Sequence, residues 1–535
     1  MAKEEKGDIT TPMALAVREA YQRDEEDEAL EPLVLVDADG SPIGRMSQGD
    51  YVVFYDIRGE REIQLTESLI DDEFDSFPVE RGLGLGFTTM IEYDKNLDVK
   101  IAFPPVVELE DTLSEVISKA GLKQVKIVES EKAIHLGFFL NGKKKDPFPG
   151  EERLIVPTRK DISSFDKAPE MSIKEVAQQI MKRLADPSYD VVIANFANTD
   201  VLGHIENKEA IKKALQAVDR EIGNVLQVAG DNGVTSVLTA DHGTVEKWLY
   251  PDGAVDTGHT NSLVPLMVIA PGESEIYRLK KGGTLTDVAP TALQILGLEK
   301  PSQMTGESLL VGEVDGGNKK RLLLLIVDGW GYNEDPYGNL IQEAKTPFMD
   351  GLVSDNDLTT LEASGTAVGM PEGTVGNSEA GHLHIGAGRT IFSDRLRIDR
   401  ALSDGSFFEN EAFLWAVRGA RDAGKDLHLL GIVSFYSSHG SLDHLLALMS
   451  LAKREGVKNL YIHSMLGRRG ERPESGARYI ADVEMECERL GLGKVVDVIG
   501  RFWSLDREEN WDRIEKTYNV YVRGEARKVP DSQIT

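Results

Sequence analysis

Short apolar runs bounded by polar turns recur along most of the chain, and runs of this length predict buried strands. Leu33-Val34-Leu35-Val36 and Tyr51-Val52-Val53-Phe54-Tyr55 are the first two. Ahead of them, Thr10-Thr11-Pro12 followed by Met13 to Val17 predicts a helix start with a hydroxyl cap and an early proline. The run from Leu97 to Val107 passes through Pro104-Pro105, which stops a strand and suits a hinge between domains. From about residue 108 helix-type and strand-type patterns alternate, the signature of a mostly parallel α/β sheet. Leu113 to Ile117 begins a helix, and Ala133 to Leu140 is expected to be a strand. The polar, Gly-rich stretch Gly312 to Lys320 predicts a linker. The alternation resumes after about 390, with strands expected at Leu427–Val433, Asn459–His463 and Val495–Ile499.

The residues just past the strand ends carry the candidate chemistry. Val191 to Asn198 runs into Asp200, with His204 four residues on. Ser236 to Ala240 ends in Asp241-His242-Gly243, and His259 precedes the run Val264 to Ile269. Leu322 to Val327 is the most apolar strand and ends in Asp328-Gly329. In an open α/β sheet, ligands bind outside the carboxyl ends of the strands, so these side chains are placed to converge. Carboxylate and imidazole without thiolate suit Mn²⁺ or Zn²⁺, and the carboxylate share favours Mn²⁺. Ser378, in Gly376-Asn377-Ser378-Glu379, stands at a Gly-containing turn before a helix-compatible run. It is either a capping residue or a nucleophile for a phosphoryl group. Two metals beside it would lower its pKa and clamp the transferred group.

The charge balance adds a second candidate site. The 535-residue chain has a formal net charge of -30, which argues against nucleic acid or an anionic membrane as the main partner. Arginines gathered in one place therefore need a local reason. Arg58 and Arg61 follow the strand at 51–55, while Arg469, Arg501 and Arg507 follow later strands. With His439 and the loop cation Lys160 they are either solvated turn charges or an anion pocket, since planar guanidinium groups grip carboxylate and phosphate. The single cysteine, Cys487, excludes an intrachain disulfide framework and a thiolate zinc cluster. The length predicts two large domains. A polar start without an apolar core and no run near the roughly 20 residues that span a bilayer predict a cytoplasmic protein.

Taken together the motifs resemble cofactor-independent phosphoglycerate mutase, of the alkaline phosphatase superfamily. They are Asp328-Gly329-Trp330-Gly331, Gly376-Asn377-Ser378-Glu379-Ala380-Gly381-His382, Gly386-Ala387-Gly388-Arg389, Asn195-Phe196-Ala197-Asn198 with Asp200 and His204, and Thr239-Ala240-Asp241-His242-Gly243. Their order resembles a circular permutant, recovered by reading 321–535 and then about 10–310. The resemblance implies a phosphatase-like metal domain with the nucleophile at 108–392, and a transferase-like domain split between 393–535 and 1–107. It implies that Ser378 is phosphorylated in turnover. One Mn²⁺ would be held by Asp328, Ser378, Asp241 and His242, the other by Asp200, His204 and His259. His439, Arg469, Arg501, Arg507, Arg58, Arg61 and Lys160 would hold substrate, with His439, Arg501 and Lys160 also assisting catalysis. The implied reaction is 3-phosphoglycerate to 2-phosphoglycerate, on a monomer, with a small phosphorylated sugar acid as sole partner and no added bisphosphoglycerate.

The chain departs from the family's pattern in two loops. Ser434-Phe435-Tyr436-Ser437-Ser438-His439-Gly440-Ser441 replaces a run that carries an aspartate and a second histidine, and Gly467-Arg468-Arg469-Gly470 lacks the acidic residues expected there. A metal-dependent phosphatase, or a mutase for another small phosphate ester, is the alternative that these departures raise.

Overall fold

The computed structural model describes residues 10–105, 108–162, 164–272, 276–312, 321–434, 439–467 and 475–531. The chain forms two units, one of Val106–Leu396 and one that joins Met1–Pro105 to Arg397–Thr535. Each is an α/β layer structure with a single sheet and its own apolar core.

Among the described residues of the continuous unit seven strands lie in the order Leu358–Leu361, Val264–Ile269, Val234–Thr239, Arg321–Val327, Val191–Phe196, Gln124–Glu129, Glu151–Val156. The first two pair antiparallel, as do Val264–Ile269 and Val234–Thr239, and the other neighbours are parallel. Arg321–Val327 is the central strand, and residues 322–327 are all buried. A strand covered on both faces reads as a continuous apolar run, which makes it the plainest signal in the sequence. Its register sets the site. Ile326 pairs with Thr239 and Val327 with Phe196, so three strands finish level. Asp328, Asp241 and the short helix Asn198–Gly203, which carries Asp200, emerge side by side.

Among the described residues the split unit has eight strands, in the order Arg527–Pro530, Leu33–Val36, Lys494–Gly500, Leu460–Leu466, Leu427–Ile432, Tyr51–Phe54, Gly86–Ile91, Lys100–Phe103. Of these neighbouring pairs, only Leu33–Val36 against Lys494–Gly500 is antiparallel. Strands from the two chain segments interleave: Leu427 pairs with Tyr51 on one side and Leu460 on the other.

Two local expectations are corrected. Ala133–Leu140 is helical rather than extended. A turn at Ser130–Lys132 leads into a wide helical turn at His135–Phe139, closed by the Leu140 N–H on the His135 carbonyl at 3.0 Å. Leu136 and Leu140, four apart, are buried while Ile134 is 56% exposed. That is a helical face, and a short apolar run cannot distinguish it from a strand by hydrophobicity alone. The helix Pro12–Tyr21 starts as expected, but Thr11 makes no side-chain cap bond. The N–H groups of Met13 and Ala14 are taken instead by the Glu484 carboxylate, at 3.0 Å each, from the helix Gly476–Leu490. Among the described residues no helix is long and apolar enough to cross a membrane.

Candidate active site and metal centre

Ser378 is the first residue of the helix Ser378–Ala387, and the cap is Asn377, whose side chain accepts from the Ala380 N–H at 2.8 Å. The serine hydroxyl is therefore not used in capping. Its Oγ receives a hydrogen bond from Lys132 Nζ at 2.6 Å, lies 3.0 Å from His242 Nε2 and donates toward Asp328 Oδ1 at 3.3 Å. Two glycines permit this approach. A Cβ on Gly381 would stand 2.5 Å from the Asp241 carbonyl oxygen, and one on Gly329, at φ +77°, would stand 2.8 Å from Asp200 Cα.

Around the serine, the structure brings together Asp200, Asp241, Asp328, His204, His242 and His259. Asp200 Oδ1 lies 3.1 Å from His259 Nε2, 3.3 Å from His204 Nε2 and 3.7 Å from His242 Nε2. His242 Nε2 is 3.5 Å from both Asp241 and Asp328. Asp200, Asp241 and Asp328 are buried, while the His204 side chain is 45% exposed and gives the cluster a wet side.

Three residues are not read as site residues from the sequence, although two of them, Asn195 and His382, stand in its motifs. Lys132 reaches Asp200 Oδ2 at 2.6 Å and Asp328 Oδ1 at 2.8 Å as well as the serine. It comes from the turn that precedes the run misread as a strand. His382, one helical turn after Ser378, sets Nδ1 at 3.3 Å from Asp241 Oδ2. Asn195 donates to Asp328 Oδ2 at 2.8 Å and touches His382 Nε2 at 3.0 Å. An i, i+4 spacing from the serine is the available signal for His382.

The electrostatics follow from three carboxylates in a low-dielectric space. Burial opposes a charge on Lys132, but Asp328, Asp200 and Asp241 outweigh it and hold the ammonium above the ordinary lysine range. Burial likewise opposes ionisation of Asp241, yet His242, His382 and Lys132 keep its carboxyl below the usual carboxylate range. His242 is pushed up to about 10, against burial, by Asp241 and then by Asp328 and Asp200.

These residues fit a divalent metal. His204 Nδ1 meets the Thr257 carbonyl at 2.7 Å and His259 Nδ1 meets the Gly376 carbonyl at 2.9 Å, so both protons are used on backbone oxygen. Their Nε2 atoms then face each other at 3.1 Å beside a carboxylate, an arrangement that asks for a cation between them. Asp241 Oδ2 is buried with no hydrogen-bond partner. Asp200, His242 and His259 form one group whose ligating atoms lie within 4.8 Å of each other; Asp241, Asp328 and His382 form another.

In the split unit, the arginines also gather. Arg58 Nε and Arg507 Nη1 share Glu60 Oε1 at 2.9 and 2.8 Å. Arg61 Nη1 donates to the Leu505 carbonyl at 3.1 Å, and Arg501 Nη2 to Glu28 at 2.9 Å. Burial first, and then Arg507, Arg58 and Arg501, depress the Arg61 pKa, so the four guanidinium groups feel one another. His439 is buried against Glu62, at 3.0 Å. Lys160 is an exposed residue of the continuous unit, outside the serine cluster. Arg469 lies outside the described residues, as do Phe435–Ser438 and Arg468–Gly470.

The 2,3-bisphosphoglycerate-independent phosphoglycerate mutase of Moorella thermoacetica is 42% identical over 299 residues, 55% of this chain and 56% of that one. Over that stretch the chain is similar to this mutase. Mutase 1 of Methanosarcina acetivorans is 41% identical over 299 residues, 56% of this chain and 57% of that one. The chain thus spans about half the length of the curated relatives it matches. The pattern of the Metalloenzyme superfamily matches residues 38–300, and that of the BPG-independent PGAM N-terminus matches residues 398–535. The stretch with Asp328 and Ser378 lies in neither match, and the register of one sheet brings Asp328 beside Asp200 and Asp241. Among solved structures, a Leishmania mexicana phosphoglycerate mutase is 23% identical over 52% of this chain and 53% of that one, with a TM-score of 0.36.

Proposed function

We propose that this chain is a cofactor-independent phosphoglycerate mutase, interconverting 3-phosphoglycerate and 2-phosphoglycerate through a phosphoserine at Ser378. The observation that carries it is the uncapped Ser378 hydroxyl, held by Lys132 and His242 at the rim of three carboxylates. Two divalent ions, Mn²⁺ by the carboxylate share, would be held by Asp200, His204 and His259 and by Asp328, Ser378, Asp241 and His242. When bound, they supply charge neutralisation of the phosphoryl group and a lowered serine pKa. Ser378 Oγ attacks phosphorus as its proton passes toward Asp328 Oδ1, and Lys132 Nζ holds the developing negative charge on Oγ. The P–O bond to the substrate breaks as the released oxygen takes up a proton, and the glycerate stays bound; its other hydroxyl then gives up a proton as its oxygen bonds phosphorus, the P–Oγ bond breaks, and Oγ regains its proton from Asp328. Arg58, Arg61, Arg501 and Arg507, with Arg469, His439 and Lys160, are the groups that we assign to the carboxylate and phosphate of substrate.

We also read the chain as a rotated version of its relatives. The match described as an N-terminus occupies the C-terminal part of this chain, and collinear alignment covers nearly equal halves of two chains. Cytoplasmic residence, a monomeric state and independence of bisphosphoglycerate belong to the same reading. A phosphatase, or a mutase of another small phosphate ester, is favoured by one observation: the acidic residues missing from 435–441 and 467–470.

Incubation of the full chain with 3-phosphoglycerate and Mn²⁺, without bisphosphoglycerate, separates these. Formation of 2-phosphoglycerate that is lost on Ser378→Ala and on chelation supports the mutase. Free phosphate without isomer supports the phosphatase and defeats the mutase reading.

A further inference from the structure

One buried carboxylate beside the metal-type residues has no role in the reaction above. Glu246 lies in the turn Val245–Lys247, shortly after His242, and is fully buried. Its Oε2 accepts the Thr244 N–H at 2.8 Å, and its Oε1 accepts the Thr260 hydroxyl. Thr260 Oγ1 in turn accepts the Ser262 N–H at 3.2 Å, which leaves its own proton for Glu246 and fixes the direction of the chain. The Asn333 side chain donates to the Glu246 carbonyl at 3.0 Å and anchors the turn. Two glycines make room for the carboxylate: a Cβ on Gly243 or on Gly331 would run into it.

Both ends of this clamp lie next to metal-type ligands. Thr244 follows His242 and Gly243, and its Oγ1 stands 3.4 Å from both His242 Nδ1 and Asp200 Oδ1. Thr260 follows His259 directly. Its N–H donates to the Gly243 carbonyl at 3.0 Å and its carbonyl accepts the Gly376 N–H at 3.2 Å, while the Gly376 carbonyl meets His259 Nδ1 at 2.9 Å. One carboxylate thus joins the loop of Asp241 and His242 to the loop of His259, and through Thr260 to the turn before Ser378. Asp200, His242 and His259, whose ligating atoms lie within 4.8 Å of each other, all touch or adjoin the two threonines that Glu246 holds. Loops beyond the strand ends lack the ladder that orders side chains inside a sheet, so a bridge of this kind sets the spacing of their imidazoles.

We propose that Glu246 is a positioning residue for the metal centre. It fixes His242 and His259, which the reading above assigns to different ions, at one separation, so that loosening the clamp weakens both ions together. The inference rests on that metal reading and on no assignment of substrate. Both carboxylate oxygens are used, one on each loop. Glutamine has the same volume, but its amide can accept from only one of the two donors, because its nitrogen faces the other. Valine at 260 keeps the branching of threonine and breaks the same link from the far side.

The test strips the full chain of metal and titrates it with Mn²⁺, reading free Mn²⁺ by electron paramagnetic resonance. A parallel titration with Co²⁺ reports the coordination of the bound ion by its visible absorption. Thr260→Val should weaken both bound equivalents about 10- to 100-fold, the range for a residue that orients metal ligands, and should alter the Co²⁺ spectrum. Glu246→Gln should weaken them to a similar degree. Thr260→Ser restores the hydroxyl and should recover most of the affinity. Parent affinity and a parent Co²⁺ spectrum in Thr260→Val and Glu246→Gln, whatever happens to Tm, would overturn the proposal and make Glu246 a packing residue. A loss confined to one equivalent would overturn it too, since the clamp would then serve one loop only. If the parent chain binds no divalent ion, the metal reading falls and takes this inference with it; two equivalents held alike by parent and variants sink the inference alone.

Discussion

Two clusters of histidine and aspartate, one in each sheet, behave in opposite ways. In the split unit Asp50, His428, His463, Asp497 and Arg45 form a chain across neighbouring strands. His428 Nδ1 lies 2.8 Å from His463 Nε2, His463 Nδ1 lies 2.7 Å from Asp497 Oδ2, and Arg45 closes the line at 3.0 Å. His428, His463 and Asp497 sit inside strands, at 0% exposure, each facing a partner on the next strand. In the continuous unit the same residue types sit just beyond the strand ends, crowd three carboxylates together, and need Lys132 to hold them. Residue type does not separate structure from chemistry here. Position relative to the end of the strand does: inside a strand, the ladder brings one partner to each polar group, whereas beyond it several groups converge on one space.

This contrast can be broken by substitution. Asp328→Asn should abolish isomerisation, by at least about 10³-fold in kcat, while circular dichroism and Tm stay near those of the parent. A variant that retains a tenth of the rate would remove Asp328 from the reacting cluster. Lys132→Met leaves three buried carboxylates without their ammonium. It should lower the stability of the metal-free protein by about 3–5 kcal/mol, and Mn²⁺ should restore much of the Tm. If Mn²⁺ restores nothing, the carboxylates are not gathered for a cation.

For the other cluster the expectation is reversed. His463→Gln should cost about 2–3 kcal/mol in urea unfolding through unpaired buried partners, and leave kcat unchanged. Burial above all, and then His428 and Arg45 against the opposing pull of Asp497, lower the His463 pKa to about 4. The unfolded chain binds that proton near pH 6.5, so it holds more protons than the folded one between about pH 6.5 and 4. Stability contributed by this group is therefore whole above about pH 6.5 and is lost as pH falls through that window, by roughly 3 kcal/mol. The His463→Gln unfolding curve should be flatter there; a parallel curve would mean that the network does not control the titration. The smallest effect is expected for His382→Gln, about a 10-fold loss in Mn²⁺ affinity with the nucleophile intact.

Much of the continuous unit's site is legible in the sequence because its strands are covered on both faces. Leu322 to Val327 reads as a continuous apolar strand, and the residue after it is then expected at the sheet's carboxyl edge. Asp328, Asp241 and Asp200 follow from that alone. Lys132 is hidden by the apolar run behind it, whose helical face depends on packing that hydrophobicity does not encode. The Asn377 cap, which frees Ser378, is undecided in the sequence because serine and asparagine are both good caps. The His428–His463–Asp497 line is not legible at all. Each member is a lone polar residue in an apolar strand, and its partner lies some 35 positions away on a neighbour that only the fold selects. The gathering of Arg58 and Arg61 with Arg501 and Arg507 has the same cause, since the sheet interleaves distant segments.

That interleaving has a consequence during synthesis. Tyr51–Phe54 cannot find its neighbour Leu427–Ile432 until the whole of Val106–Leu396 has left the ribosome. At about 5–20 residues per second that is a wait of roughly 15–60 s. Throughout it Leu33–Val36, whose strand partners Lys494–Gly500 and Arg527–Pro530 are both still to come, and the edge of Tyr51–Phe54 that does not pair with Gly86–Ile91 stay open. The nascent first segment is thus the part of this protein that most needs a holding chaperone, while the segment bearing Ser378 can close as soon as it is made.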